Sequence, residues 1–304
     1  MISQALLSVF ALVFSLVSAF PAPVQVRQAP ITTLSTDQID AFTPYTFFAK
    51  TAYCSPSTTM SWTCGASCNA NPGFIPVAAG GDGSDTQFYF VGYDPSLETV
   101  IVSHQGSDFA KILPLLTDLD LFLTPINPSL FHGVSSSVEV HSGFGAEQAK
   151  TAPAILAAVQ EAMSKYGTNS VTTMLTCDLL GAALSLLDAL FLKVQIPSAS
   201  VSYVGYGLPH VGNQAFANLI DSTLPDLVTH IDNKEDPVPI LPGKFLGYVH
   251  PSGEKHIMDS NAWVACPGQD NPSTECTTGD VPNIFDGKSS NHDGPYNGIT
   301  MGVC

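Results

Sequence analysis

The sequence predicts a single domain of α/β class, a mixed, mostly parallel sheet flanked by helices. Two observations carry this reading. Strand-like and helix-like segments alternate from about residue 170 to residue 231, an order that builds parallel strands joined by helical crossovers and puts chemistry at the carboxyl ends of the strands. The chain has 304 residues, with no internal repeat and no low-complexity segment after its leader, and that length suits one large domain with a full core.

The elements follow in order. Residues 1–19 read as a secretory signal: an apolar run from Ala5 to Val17 leads to the small-residue site Val17-Ser18-Ala19, and the run is too short to span a membrane. Residues 20–30, with Pro21, Pro23, Pro30 and a candidate processing point at Arg27, read as a leader tail or pro-segment, which leaves 31–304 as the domain. Ser35-Thr36-Asp37-Gln38 has the pattern of a capping box before a helix from Ile39 to Ala52. Gly80, Gly81 and Gly83 mark a loop ahead of a strand from Thr86 to Gly92, and Glu98 to Ser103 reads as a buried strand ending at His104-Gln105-Gly106-Ser107-Asp108. Phe109 to Leu130 is apolar with scattered Asp and Pro, which fits a cover better than a core element. Ala146 to Tyr166 predicts a helix that Pro153 interrupts or kinks. A strand from Ser170 to Thr176, a helix from Gly181 to Val194, a strand from Ser200 to Tyr206, a helix from Val211 to Thr223 and a strand from Asp226 to Ile231 complete the alternation.

Composition narrows the partners. With 26 acidic against 10 basic residues the net charge is −16, which argues against nucleic acid and against a basic membrane-binding patch. Charged residues are only 12% of the chain and apolar ones 45%, a surface compatible with secretion and with apolar material. No later segment reads as a transmembrane helix. Seven cysteines in a secreted chain imply disulfides and one leftover. The close pairs Cys64 with Cys68 and Cys266 with Cys276 make the simplest local bridges, Cys54 is left to tie the N-terminal helix to Cys304, and Cys177 is the odd one. A cysteine zinc site is the rival reading, but the spacing lacks a double C-x-x-C.

The most informative segment is Thr176 to Ala183, Thr-Cys-Asp-Leu-Leu-Gly-Ala-Ala. Its frame is that of a nucleophile elbow, G-x-S-x-G on a sharp strand-to-helix turn, with Leu179 where the serine belongs. Leucine has no heteroatom to attack a carbonyl, so ordinary serine chemistry cannot start there. After the elbow come an acid, Asp236 in Asn233-Lys234-Glu235-Asp236-Pro237-Val238-Pro239, and a histidine, His292 in His292-Asp293-Gly294-Pro295-Tyr296. Nucleophile, acid, histidine is the chain order of α/β-hydrolases.

From about Ser35 to Cys304 the sequence resembles the secreted fungal lipases of the class 3 lipase family. Gly207-Leu208-Pro209-His210-Val211-Gly212-Asn213 is similar to the family's G-x-P-R-V-G-N, with His210 in place of Arg. His104 to Asp108 resembles the strand end of the oxyanion hole, and Val140-His141-Ser142-Gly143-Phe144 resembles the segment that follows the lid. The resemblance implies a single α/β-hydrolase domain with a lid from Phe109 onward and a long bridge from the N-terminal helix to the C-terminus. It also implies that His292 is the general base oriented by Asp236, and that the backbone N–H groups of Ser107 and Leu180 form the oxyanion hole. A lipid, an acyl ester or a lipid interface is then the partner, and neither a cofactor nor a metal is expected.

The elbow departs from the family's G-H-S-L-G at three successive positions, Cys177, Asp178 and Leu179. Loss of a triad nucleophile costs on the order of 10⁶ in turnover, Cys177 adds a side chain where the turn wants close approach, and Asp178 brings a carboxylate toward His292. Neither Asp178 nor Cys177 stands at the apex, two residues before Gly181, and Ser185 lies more than a helical turn beyond it. Three functions fit this pattern: a lipase-like protein that has lost serine catalysis, an active triacylglycerol lipase or carboxylic ester hydrolase with an unusual nucleophile or an error in the recorded elbow, and a non-catalytic secreted lipid-binding or interaction protein. The first is favoured. His210, His230, His250 and His256 show no metal-motif spacing and read as surface or structural residues.

Overall fold

A computed structural model of the chain describes residues 29–106, 122–175 and 179–304, with Leu175 and Leu179 described in their backbone alone. The predicted signal segment, most of the predicted leader tail, Ser107, the first part of the predicted cover, Cys177 and Asp178 lie outside the described residues.

After the two-residue strand β1 (Thr32–Thr33) the capping box forms as its sequence predicts: Ser35 Oγ accepts the Gln38 N–H at 3.3 Å and Gln38 Oε1 accepts the Ser35 N–H at 2.8 Å. It opens α1 (Thr36–Asp40). The predicted single helix is two, because Pro44 has no N–H to give a continuing helix and instead sits in the first turn of α2 (Thr43–Thr51). Two short helices, α3 (Pro56–Met60) and α4 (Ala66–Asn69), lead to the strands β2 (Ile75–Gly80), β3 (Tyr89–Asp94) and β4 (Thr99–His104). Then come β5 (Leu123–Pro125), β6 (Glu139–His141), α5 (Ser142–Tyr166), β7 (Ser170–Leu175), α6 (Leu179–Gln195) and β8 (Ser200–Tyr206). The chain closes with β9 (Gly212–Asn213), α7 (Gln214–Thr223), β10 (Val228–Asn233), β11 (Tyr248–Val249), β12 (Glu254–Ile257), β13 (Trp263–Ala265) and α8 (Thr277–Asp280).

Among the described residues, nine strands form one sheet in the order β1-β13-β12-β10-β8-β7-β4-β3-β2. Its five central strands, β12 to β4 in that order, are parallel, and the edges pair antiparallel. This is the mixed sheet with a parallel centre of the α/β-hydrolase fold. A smaller antiparallel sheet, β11-β9-β6-β5, stands beside it.

Helix α6 is apolar on every side: Ala182 to Leu192 is buried throughout, against β4, β7, β8 and α5, as expected of a helix enclosed by a core. Helix α5 runs 25 residues straight through Pro153, against the predicted interruption. Its buried stripe Ala152, Ile155, Val159 and Ala162 repeats at helical spacing, and burying Ile155 and Val159 at about 1.5–3 kcal/mol each offsets the roughly 3 kcal/mol that an internal proline costs. The described end of the predicted cover is mixed: Leu123 to Pro125 is strand β5, Ile126 is buried at 4% exposure, and Phe122 stands 65% exposed. The three bridges are those read from the sequence, Cys54–Cys304, Cys64–Cys68 and Cys266–Cys276. Among the described residues, no helix is long and apolar enough to cross a membrane.

Candidate active site

Three segments meet at the carboxyl ends of β8 and β10. Strand β8 ends at Tyr206 and is followed by Gly207, whose φ of +58° is a left-handed conformation that glycine adopts without penalty. Strand β10 ends at Asn233, and the turn through Lys234 brings up Asp236. A short 3₁₀ turn, Ser289–Asn291, brings up His292 from the C-terminal segment. The Asp236 Oδ2 atom lies 2.8 Å from His292 Nδ1 across 56 residues of sequence, with both side chains buried. Gly207 makes room for the pair: a Cβ on it would stand 2.9 Å from His292 Cε1, 3.0 Å from Nδ1 and 3.1 Å from Asp236 Oδ2. Position 207 therefore demands glycine twice, by backbone conformation and by space.

The pair is held rigidly. The other carboxylate oxygen of Asp236, Oδ1, accepts the Val238 N–H at 2.9 Å, which fixes the plane of the carboxylate. The turn carrying Asp236 and the segment carrying His292 are stapled together by Asn233 Nδ2 donating to the Asn291 carbonyl at 2.8 Å, by the Lys288 N–H donating to the Glu235 carbonyl at 2.6 Å, and by the Lys288–Glu235 ion pair. The Tyr296 hydroxyl donates to the His292 carbonyl at 3.1 Å, and the Tyr296 ring packs edge-on against Tyr206 at the end of β8. A buried imidazole whose Nδ1 faces a carboxylate is fixed in orientation, so Nε2 is aimed away from Asp236. In a histidine–acid pair that is the nitrogen that takes or gives a proton.

The elbow positions fall as follows. Strand β7 ends at Leu175, and α6 begins at Leu179. Leu180 is in the first turn of α6, half-buried against the main core, where helix geometry leaves backbone N–H groups outside the helix's own ladder. Ser185 is fully buried, and its hydroxyl donates to the Met174 carbonyl at 2.7 Å, which removes it as a substitute nucleophile. Ser107, Cys177 and Asp178 lie outside the described residues.

Residues 101–246 match the protein family described as Lipase (class 3). Over that stretch, just under half of its length, the chain is similar to the class 3 lipases. The chain is 32% identical over 175 residues to the secreted mono- and diacylglycerol lipase LIP2 of Malassezia restricta, a match that covers 57% of the chain and 55% of that relative. It is 29% identical to the secreted mono- and diacylglycerol lipase MDL3 of Malassezia globosa, with 78% of each chain covered. Its fold superposes on the native lipase–propeptide complex of Rhizomucor miehei with a TM-score of 0.74 at 25% identity, over 90% of the chain and 85% of the solved one. The chain thus spans about half the length of the first relative.

Sequence reasoning misses two buried polar clusters in this chain. In the first, His104 at the end of β4 and Gln148 on α5 converge on Asp188 of α6, with His104 Nε2 at 2.7 Å from Oδ2 and Gln148 Nε2 at 2.8 Å from Oδ1. All three are at most 1% exposed. The signal was a lone acid inside the apolar run Leu184 to Leu192. In the second, His210, His230 and His250 stack in a row, with ring centroids 4.2 Å and 5.0 Å apart. None of these histidines, nor His256, is on the surface. His210 Nε2 is 2.9 Å from Asp270 Oδ1, His230 Nδ1 is 3.0 Å from Asp232 Oδ2, and His256 bonds the carbonyls of Glu275 and Lys234. Burial, then the neighbouring His210 and His230, push the His250 pKa down to about 3, so that ring is neutral. Nearby on β12, burial and the Asp232 carboxylate raise the pKa of Glu254.

Proposed function

We propose that this chain is a secreted class 3 lipase-like protein that keeps an acyl-ester site but lacks ordinary serine hydrolase activity. The observation that carries the proposal is Leu179, the residue at which α6 begins and the position in the sequence where an α/β-hydrolase elbow has its serine. The chain also keeps a complete acid–histidine pair, Asp236 holding His292 at 2.8 Å. In the scheme that the family suggests, His292 is the base and Asp236 its orienting acid. The Leu180 N–H at the first turn of α6 and the N–H of Ser107 are the oxyanion donors. In that scheme the proton acceptor, the acid and an oxyanion donor are kept and the attacking atom is missing.

The names of the Malassezia relatives support secretion and point to monoacyl- and diacylglycerols as the ligand class. Contact with apolar material is supported further by Phe245 and Phe285, which stand 89% and 93% exposed, a placement that costs stability in water unless something apolar meets it. Without a nucleophile the site holds an ester and polarises its carbonyl but forms no acyl-enzyme, so turnover falls to the residual level of roughly 10³ to 10⁴ over water that binding and an oxyanion hole supply.

The test is turnover of a short-chain nitrophenyl ester and of emulsified mono-, di- and triacylglycerol. The natural chain is expected to show only that residual rate, insensitive to a serine-directed phosphonate. Leu179→Ser should gain phosphonate-sensitive turnover, and the triple change Cys177→Gly, Asp178→His, Leu179→Ser should gain on the order of 10⁶. Phosphonate-sensitive turnover of the natural chain at a rate normal for a serine lipase would overturn the proposal.

A further inference from the structure

The second histidine cluster contains ring nitrogens that no described protein group uses. The Nε2 of His250 lies 2.7 Å from the Pro239 carbonyl, and a carbonyl only accepts, so Nε2 carries the proton and the lone pair of the neutral ring sits on Nδ1. That Nδ1 is buried and has no hydrogen-bond partner among the described residues, and the same holds for Nδ1 of His210. Asp270 completes the group, and one donor atom from each of His210, His250 and Asp270 lies within 4.8 Å of the other two. Two orphaned imidazole nitrogens beside a buried carboxylate form a donor set that hydrogen bonding alone leaves unsatisfied.

We propose that His210, His250 and Asp270 form a binding site for a divalent transition-metal ion, zinc by preference, behind the turn that carries Asp236. The donors fit that ion class: imidazole nitrogen with one carboxylate suits zinc and its neighbours, whereas calcium and magnesium take oxygen ligands. Zinc–nitrogen bonds of about 2.0–2.1 Å put tetrahedral ligands about 3.3 Å apart, so closing the site takes side-chain movements on the order of an ångström. The outer contacts match those that orient metal ligands: the His250 N–H on the Pro239 carbonyl, and the His250 backbone N–H on Asp270 Oδ2 at 3.3 Å. The competing cation, Lys244, is 3.8 Å from Asp270 Oδ2 and half exposed, free to swing into solvent. Where the similar family motif has Arg, this chain has His210. An arginine answers Asp270 with a fixed positive charge and cannot ligate a metal, whereas a histidine can.

The site reaches the Asp236–His292 pair through the backbone. His250 grips Pro239 inside the 3₁₀ turn Val238–Ile240 that follows Asp236, and the His210 N–H donates at 2.9 Å to the carbonyl of Leu241, just after that turn. An ion bound there ties β8, that turn and the loop carrying Asp270 into one unit. The other cluster with the right elements, Glu254 with Cys266 and Cys276, is spent, because its cysteines form a disulfide.

The experiment is zinc titration of the chelator-treated full chain by calorimetry, with calcium and magnesium as controls. One zinc per chain is expected, at a dissociation constant of roughly 1 µM or tighter. His210→Arg, which restores the side chain of the family motif, and His250→Gln should each weaken binding by more than the ~10–100-fold typical of losing an outer contact. A measurement on the unaltered chain decides the matter even if the variants fail to fold: one equivalent of zinc should shift the ring ¹⁵N signals of His210 and His250 and leave the exposed His132 unmoved. No uptake at ~100 µM zinc, uptake undiminished in folded His210→Arg, or a shift confined to His132 would each overturn the site.

Discussion

Asp188 is fully buried on a helix that is otherwise apolar through its middle, and its two oxygens meet His104 at 2.7 Å and Gln148 at 2.8 Å. Removing the carboxylate in Asp188→Ala loses two hydrogen bonds to a charged group, at about 1.5–3 kcal/mol each, and strands two donors in the core. Breaking a buried polar pair from one side costs roughly 3–5 kcal/mol, so a loss of about 4 kcal/mol is expected. For a chain of this size each kcal/mol moves Tm by roughly 2–4 °C, which places the melting point roughly 8–16 °C lower. Circular dichroism in urea and on heating reads both numbers. Asp188→Asn keeps one acceptor oxygen and should cost about half as much, roughly 2 kcal/mol. Replacing all three partners by leucine should come closer to the unaltered chain than Asp188→Ala does, because no polar group is then stranded. An Asp188→Ala protein within ~0.5 kcal/mol of the unaltered one would refute the reasoning, since a surface-like tolerance is incompatible with a buried carboxylate that satisfies two donors.

Gly207→Ala should destabilise by about 1–3 kcal/mol from the left-handed backbone alone, and it should also displace His292, which NMR detects as a changed Nδ1 proton signal; an unchanged signal would mean that the ring yields without leaving Asp236. Replacing Cys54 and Cys304 by serine opens a bridge between positions 250 residues apart and should cost roughly 2–5 kcal/mol in denaturant unfolding. Glu254 has its pKa raised in the folded chain by burial and then by Asp232. The protonated form is therefore favoured by folding, and the stabilisation is full below the unfolded value and lost as pH rises through the folded one. Glu254→Gln keeps an acceptor for the Thr277 N–H, which Glu254 Oε1 now accepts at 2.7 Å, so unfolding free energies measured across that pH range should flatten.

The alternation of strands and helices after residue 170 was readable because each element carries its own period, and β8 appears at the predicted bounds, Ser200–Tyr206. The sequence set Asp236 and His292 in a known order, and the fold brings the two side chains into contact across 56 residues. Pro153 misled, since proline's local cost is fixed while the burial that offsets it depends on what the helix packs against. The single predicted helix at Ile39 to Ala52 erred the other way, with Pro44 restarting the helix rather than sitting inside it. The polar clusters stayed hidden for a different reason. His210, His250 and Asp270 are brought together by three separate loops, so their proximity has no spacing along the chain. Asp188 alone had a visible sign, an acid where every neighbour is apolar.

The Asp236–His292 pair has contacts that give it a structural role whatever its part in chemistry. The segment carrying His292 is irregular apart from one 3₁₀ turn, and among the described contacts it is fixed by Asn233, Glu235, Asp236 and the bridge from Cys304 to Cys54. Deleting either partner of the pair would bury the other without its hydrogen bond, at about 1–3 kcal/mol or more, and would loosen the closure of the C-terminus onto β8 and β10. Folding alone is therefore enough to retain both residues once a nucleophile is gone. Retention of Asp236 and His292 therefore does not by itself require turnover, and the elbow, Cys177 to Leu179, is where the sequence departs from the motif of the lipases it resembles.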